Sequence, residues 1–400
     1  MNARIAESTC AVDAAAVMAL LPARPRLLAL GEPTHGATEL LELRNDLFRQ
    51  LVEQQGYRTI ALESDCLRGL VVDDHVRSGT GTLDDVVARG FSHGWGAYPA
   101  NRELVRWMRA HNDGRPASEQ LRFAGFDGPL EITGAASARQ ALTALHGYLA
   151  DRVDADLLPC DAGTLDRLLG ADDRWTDPAV MRDPARSVGR TPEARQLRLL
   201  ADDLGALLDA QTPGLVAASS RQEWDRARLH GRTATGLLRY HSAMADPSPR
   251  RLAQLLGVRD SMMAANLLAL AERGPTLVHA HNAHLQRELS RMRMGDLPVA
   301  WWSAGALVGT HLRDGYAFLA TALGTLRDEG VHTPPPDTVE GLLHALPENR
   351  YVVDPRRLGT ALDGTAPAPR VSPWFGYAPF DPAHLAGVDG LVFVRDARRS

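Results

Sequence analysis

Short apolar runs recur along the chain, each ending in glycine, proline or an acid, and between them the apolar positions fall at helical spacing. Leu27, Leu28, Ala29 and Leu30 form the first run, and the two glycines and the proline of the following Gly31-Glu32-Pro33-Thr34-His35-Gly36 predict that the strand stops at Leu30. Leu40, Leu43, Leu47, Phe48 and Leu51 then repeat as one helix face up to Gln55-Gly56, and residues 58–63 read as a second strand. A strand, crossover helix and strand of this kind make the two strands parallel. Residues 12–21 predict a leading helix, 67–76 and 83–88 two short ones, and 101–112 an amphipathic one. Residues 121–127 are the third strand. From 131 to 271 the strand pattern gives way to Ala, Leu, Arg and Asp at helical spacing, broken by prolines. Strands resume at 275–280, 298–305, 316–322 and 391–394, the middle two joined by a turn near Arg313-Asp314-Gly315 and the last closing the sheet. The proline-rich 333–337 reads as a surface connection.

The pattern therefore predicts an α/β fold, a mostly parallel central sheet flanked by helices, with a large helical insertion. Residues 1–130 and 272–400 would be the two parts of the α/β core, and 131–271 the insertion. The chain has 400 residues, 44% hydrophobic and 23% charged, enough for one large core of this type. A net charge of -5 with interspersed signs gives no basic field, so nucleic acid is not an expected partner. No lysine occurs and all 44 basic side chains are arginine, which excludes Schiff-base, Walker-type and Ser-Lys chemistry. Three separated cysteines, Cys10, Cys66 and Cys160, suggest neither a disulfide framework nor a thiolate metal site. With no signal-like apolar region at the N-terminus and no run long enough to span a bilayer, the expectation is a cytoplasmic protein without a membrane partner. Nothing in the sequence sets its oligomeric state.

Parallel strands deliver their carboxyl ends to one edge, where open α/β sheets place their ligands. Strand ends far apart in sequence carry Glu32 with His35, Glu63, Asp127, and His281 with His284. Two chemistries suit these residues. In one, a neutral histidine takes a proton from water while a carboxylate holds its other nitrogen, and Arg44 with a second histidine stabilises the developing oxyanion. In the other, Glu32, His35, Glu63, His281 and His284 bind a divalent metal. The spacing matches no helical His-Glu-x-x-His pattern, which favours the metal-free version. Gly90-Phe91-Ser92-His93-Gly94 formally satisfies the nucleophile-elbow motif, but a helix rather than a strand is predicted before Ser92, so Ser92 is not the expected nucleophile. That loop offers His93, Trp95 and Tyr98 as a substrate-facing wall. In the insertion, Arg228, Arg232, Tyr240 and Arg259 lie near enough to its stems to reach the edge.

GEPTHG after a strand, Arg44 in the next helix, ALES after the second strand, the Gly-Phe-Asp of 125–127, RDSMMAANL from Arg259 and VHAHNAHL from Val278 together resemble the erythromycin esterase-like family, in order and spacing from about residue 27 to 394. The resemblance implies an α/β domain with a helical insertion, and an enzyme that hydrolyses a macrolide lactone or a related ester without a serine nucleophile. It implies His35 as general base for water, oriented and tuned by Glu32 and Glu63. His281, His284 and Arg44 would bind the substrate carbonyl or assist proton movement, and Asn282 would fix the loop. Asp127, His93, Trp95 and Arg259 complete the expected substrate site. No cofactor is expected, and the partner is a bulky small-molecule natural product. The same base would also serve a biosynthetic tailoring enzyme in cyclisation, isomerisation or elimination, and a third reading is a binding protein without turnover.

Overall fold

A strand buried on both faces needs a run of apolar residues, and six segments of this chain carry such a run. In the computed structural model, which describes residues 2–131, 134–372 and 374–400, they pair as parallel neighbours. The strands of the main sheet are β1 (Thr9–Cys10), β2 (Leu27–Glu32), β3 (Thr59–Asp65), β4 (Arg122–Asp127), β5 (Thr276–His281), β6 (Tyr316–Leu326), β7 (Arg350–Val353) and β8 (Gly390–Ala397). Their order is β1-β7-β8-β6-β2-β5-β3-β4, with β7 antiparallel to both β8 and β1.

Alternation along the strands divides the core in two. Leu28, Leu30, Ile60 and Leu62 pack beneath α1 (Ala14–Leu20), α2 (Thr38–Gln55), α3 (Gly69–Ser78) and α4 (Pro99–Asn112). Leu27, Ala29 and Ala61 face the other way, toward the last helix of the insertion. The insertion holds α5 (Arg139–Ala150), α6 (Pro192–Ala210), α7 (Arg221–Met244) and α8 (Arg251–Ala271) around a third cluster that includes Leu142, Leu145, Leu197, Leu204 and Leu237. Residues 132 and 133, near its start, lie outside the described residues. Among the described residues no helix is long and apolar enough to cross a membrane.

Three expectations need correction. The ladder does not stop at Leu30: Gly31 pairs with Ala280 and Glu32 with His281, and Pro33, which has no N–H to donate, ends the strand. The run at 298–305 is not a sheet strand. Instead Leu297–Trp302 pairs antiparallel with Leu289–Met294 in a separate hairpin, leaving Leu297 and Trp302 exposed, and Ser303 then caps a helix, α10 (Ala304–Leu312), which follows the short α9 (Asn282–Leu285). β8 sits inside the sheet, because the short antiparallel β7 and β1, absent from the sequence reading, extend that side.

Candidate active site

The carboxyl edge is shaped first by two glycines. A Cβ on Gly31 would lie 2.1 Å from Asn282 Oδ1, so only glycine admits the Asn282 side chain against β2. Asn282 in turn donates from Nδ2 to the Thr321 carbonyl at 2.8 Å and accepts from the Thr321 N–H at 3.2 Å, pinning the turn after β5 to β6. Gly36 has φ +71°, and a Cβ there would meet the Tyr98 hydroxyl at 2.5 Å. Between these two points the backbone is held and the His35 side chain projects from it.

Glu32, 1% exposed, sits between two histidines. Its Oε1 is 2.8 Å from His35 Nδ1, and its Oε2 is 3.2 Å from His279 Nε2, off the axis of a good hydrogen bond. Burial opposes ionisation of Glu32, but the two imidazoles overcome it and hold its carboxyl well below the usual range. The His35 ring is 37% exposed and stands 5.3 Å from the His281 ring and 5.2 Å from that of Trp95. Burial would lower its affinity for a proton; Glu63 and Glu32 outweigh burial and raise it.

Glu63 is also buried. Its Oε1 accepts from Arg259 Nη2 at 3.0 Å and lies 3.4 Å from His284 Nε2, while Oε2 accepts from the His281 backbone N–H at 2.8 Å. These cations and the N–H drive its carboxyl well below the usual range despite burial. His284 is fixed from behind: its Nδ1 is 3.0 Å from both oxygens of Asp260, which also accept from Trp301 Nε1 at 2.8 Å and the Ala304 N–H at 2.7 Å. Against burial, Asp260 and Glu63 raise the proton affinity of His284. His281 goes the other way, pushed down to about 4 by burial and the neighbouring His35. The Ala283 N–H donates to His281 Nδ1 at 3.2 Å, so the neutral ring carries its hydrogen on Nε2.

Other expected site residues play supporting parts. Asp127, fully buried, is bound by Arg259 through Nε at 3.1 Å and Nη2 at 2.7 Å, so Arg259 bridges two strand ends and Asp127 has no surface to offer a ligand. Trp95 and His93 form a wall at this edge: the Trp95 ring lies 5.2 Å from that of His35 and 5.9 Å from that of His93, whose Nδ1 is 2.8 Å from Glu131 Oε2. Arg44 is wholly buried: Asn45 Oδ1 accepts from its Nε and Nη2, and Asn101 Oδ1 from Nη2, with Nη1 left unpaired. It is not placed to touch a carbonyl; through Asn101, whose Nδ2 donates to the Trp95 carbonyl at 2.9 Å, it anchors the wall. His284 likewise spends both nitrogens on carboxylates. Ser92 lies between β3 and that wall, 2% exposed, its hydroxyl accepting from the Asp65 N–H at 2.9 Å and 3.2 Å from Ser64 Oγ. In the insertion Arg228 pairs with Glu272 at 2.9 Å and Arg232 with Asn266 at 3.2 Å, away from Glu32 and Glu63. Among the described residues no three His, Cys, Asp or Glu side chains form a group able to hold a metal ion.

Asp260, His279, Asn45 and Asn101 escaped the sequence reading. Asp260 follows Arg259 on α8, and the motif named both, but successive helix positions point about 100° apart, and only the fold shows that Arg259 reaches β3 and β4 while Asp260 reaches His284.

A sequence profile of the erythromycin esterase family matches residues 52–397. Erythromycin esterase type II of Escherichia coli is 33% identical over 105 residues, covering 26% of this chain and 24% of that protein, so the aligned segment spans about a quarter of the relative. Solved structures share the fold. A Bacillus cereus protein superposes with a TM-score of 0.74 at 18% identity, covering 100% of this chain and 98% of its own. A succinoglycan biosynthesis protein gives 0.72 at 14% identity, covering 99% and 96%. A histidine-to-asparagine mutant of the erythromycin esterase EreC in its open conformation gives 0.67 at 16% identity, covering 96% and 94%.

Proposed function

The chain belongs to the erythromycin esterase family, and from that premise we propose that this hydrolase cleaves an ester or lactone of a bulky natural product with water activated by His35 and no serine nucleophile. The observation that carries the reading is a partly exposed imidazole 2.8 Å from a wholly buried carboxylate, His35 on Glu32. The pairing puts a hydrogen on Nδ1 and leaves Nε2 to accept a proton from water. As that proton moves to His35, the water oxygen bonds to the carbonyl carbon and negative charge gathers on the carbonyl oxygen. His281, neutral with its hydrogen on Nε2, is the donor for that oxygen, and the positive charges of His284 and Arg259 behind Glu63 favour the developing anion. Collapse breaks the bond to the alcohol oxygen, which takes the proton back from His35. The locked hydroxyl of Ser92 supports water rather than serine as the nucleophile.

The partly exposed His35 ring against Trp95, which in turn meets His93, suits a large ester lying along the sheet edge. The test is the product mass formed from macrolide lactones and other ester-bearing natural products. Hydrolysis adds 18 mass units, the mass of one water, and is expected to disappear in His35→Ala. A product of unchanged mass, or one that has lost a small molecule, would replace this reading with cyclisation, isomerisation or elimination.

A further inference from the structure

Two histidines flank Glu32, and hydrolysis as described uses only one. His279 lies within β5, 1% exposed, with Nδ1 3.0 Å from the Leu30 carbonyl oxygen. A carbonyl only accepts, so Nδ1 carries a hydrogen. Nε2 is 3.2 Å from Glu32 Oε2, and neither atom has any other partner. In a neutral His279 that nitrogen would present a lone pair to a carboxylate oxygen, two acceptors pressed together in a buried place. One additional proton removes the conflict.

We propose that His279 is a positioning residue, a buried imidazolium whose Nε2 faces Glu32 Oε2 at 3.2 Å and so offsets part of the negative charge that Glu32 turns toward His35. The proposal rests on His35 being the base, and it gives His279 a definite effect. Without that cation the full charge of Glu32 falls on the His35 Nδ1–H, and His35 holds its second proton to higher pH. The other ionisable groups around the pair are Glu63 from β3, His281 and His284 after β5, Arg44 from α2, Tyr98 ahead of α4 and Arg399 near the C-terminus. All are unchanged by a substitution at 279.

His279→Gln keeps an amide N–H near Glu32 but removes the charge, and His279→Phe removes both. Nitrogen NMR of histidine side chains reads the protonation of each ring directly, and the pH dependence of kcat/KM reads the base. In the wild-type protein both nitrogens of the His279 ring are expected to carry hydrogen at neutral pH. In His279→Gln the His35 titration and the acid limb of kcat/KM should both move up by about one pH unit, lowering kcat/KM about tenfold on the acid side while the alkaline plateau is kept. A neutral His279 in the wild type, or an unmoved His35 titration in a folded variant, overturns the proposal. The NMR result needs no turnover, so it stands apart from the base assignment, which fails separately if His35→Ala stays active.

Discussion

His35 is raised in proton affinity and His281 is lowered, and the proposed mechanism gives the first the part of base and the second that of neutral donor. A general base acts only when unprotonated, so a base held above the ordinary histidine value of 6.5 gives activity that climbs through neutral pH with its midpoint above 6.5. His281, near 4, stays a neutral donor across that range. His35→Ala is expected to lower kcat/KM by about a thousandfold, measured under conditions where the wild-type base is free. Ser92→Ala should leave kcat/KM within about twofold, yet cost about 1–3 kcal/mol in denaturant unfolding, because the Asp65 N–H loses its buried acceptor. A serine that proved indispensable to turnover would restore the nucleophile elbow. Glu32, His35, Glu63 and His281 were legible because each sits where a strand ends, and strand ends follow from local pattern. The sequence offers Arg44 as a group that binds the carbonyl or assists proton movement, but its contact with Asn101 depends on α4 packing beside α2, which no local pattern encodes. His279 was illegible for the opposite reason: inside an apolar strand, one histidine reads as core.

The loop that carries His35 is braced from the far end of the chain. The Thr38 N–H donates to the Arg398 carbonyl at 2.9 Å, the Ser400 N–H donates to the Gly36 carbonyl at 2.9 Å, and Arg399 Nη1 donates to the His35 carbonyl at 2.6 Å. Arg398 adds a 2.9 Å ion pair to Glu39, at the start of α2. Removing residues 398–400 is therefore expected to lower kcat about tenfold, since catalysis depends on sub-ångström placement of the base, while circular dichroism shows the fold intact. An undiminished kcat would mean that the loop needs no brace. Gly36→Ala should be harsher, because φ +71° and the Tyr98 hydroxyl both resist a side chain; a loss of about 1–3 kcal/mol in stability together with lower kcat is expected. The parallel core strands were legible from their apolar runs, and so was the helical insertion. The hairpin at 289–302 was not, because a run such as Val299, Ala300, Trp301, Trp302 has strand character wherever it pairs, and only tertiary packing decides that it leaves the sheet. β1 and β7, two and four residues long, are too short to carry a pattern.

Gathering so many charges beneath one edge ties stability to the same protons that the proposed mechanism uses. Glu32, Glu63 and Asp127 are all depressed, so their contributions are present above the ordinary carboxylate values and are lost as pH falls. His281 adds to acid sensitivity: below 6.5 the unfolded chain takes up a proton that the folded site refuses until about 4. On the other side, His35, His93 and His284 are raised, each by carboxylates that outweigh burial. Their stabilising contributions are complete below the unfolded value of 6.5 and disappear as pH rises through the folded values. Above 6.5, then, the melting temperature should fall over the same interval in which activity rises, because deprotonating His35 both frees the base and weakens its attraction to Glu32 and Glu63. Melting curves of wild type and His35→Ala across neutral to mildly alkaline pH measure this coupling. The wild type should lose stability more steeply, by the slope of up to one proton, and the two profiles should run parallel only if His35 were unperturbed. The pH at which the enzyme is most stable is thus expected to lie below the pH at which it is fastest.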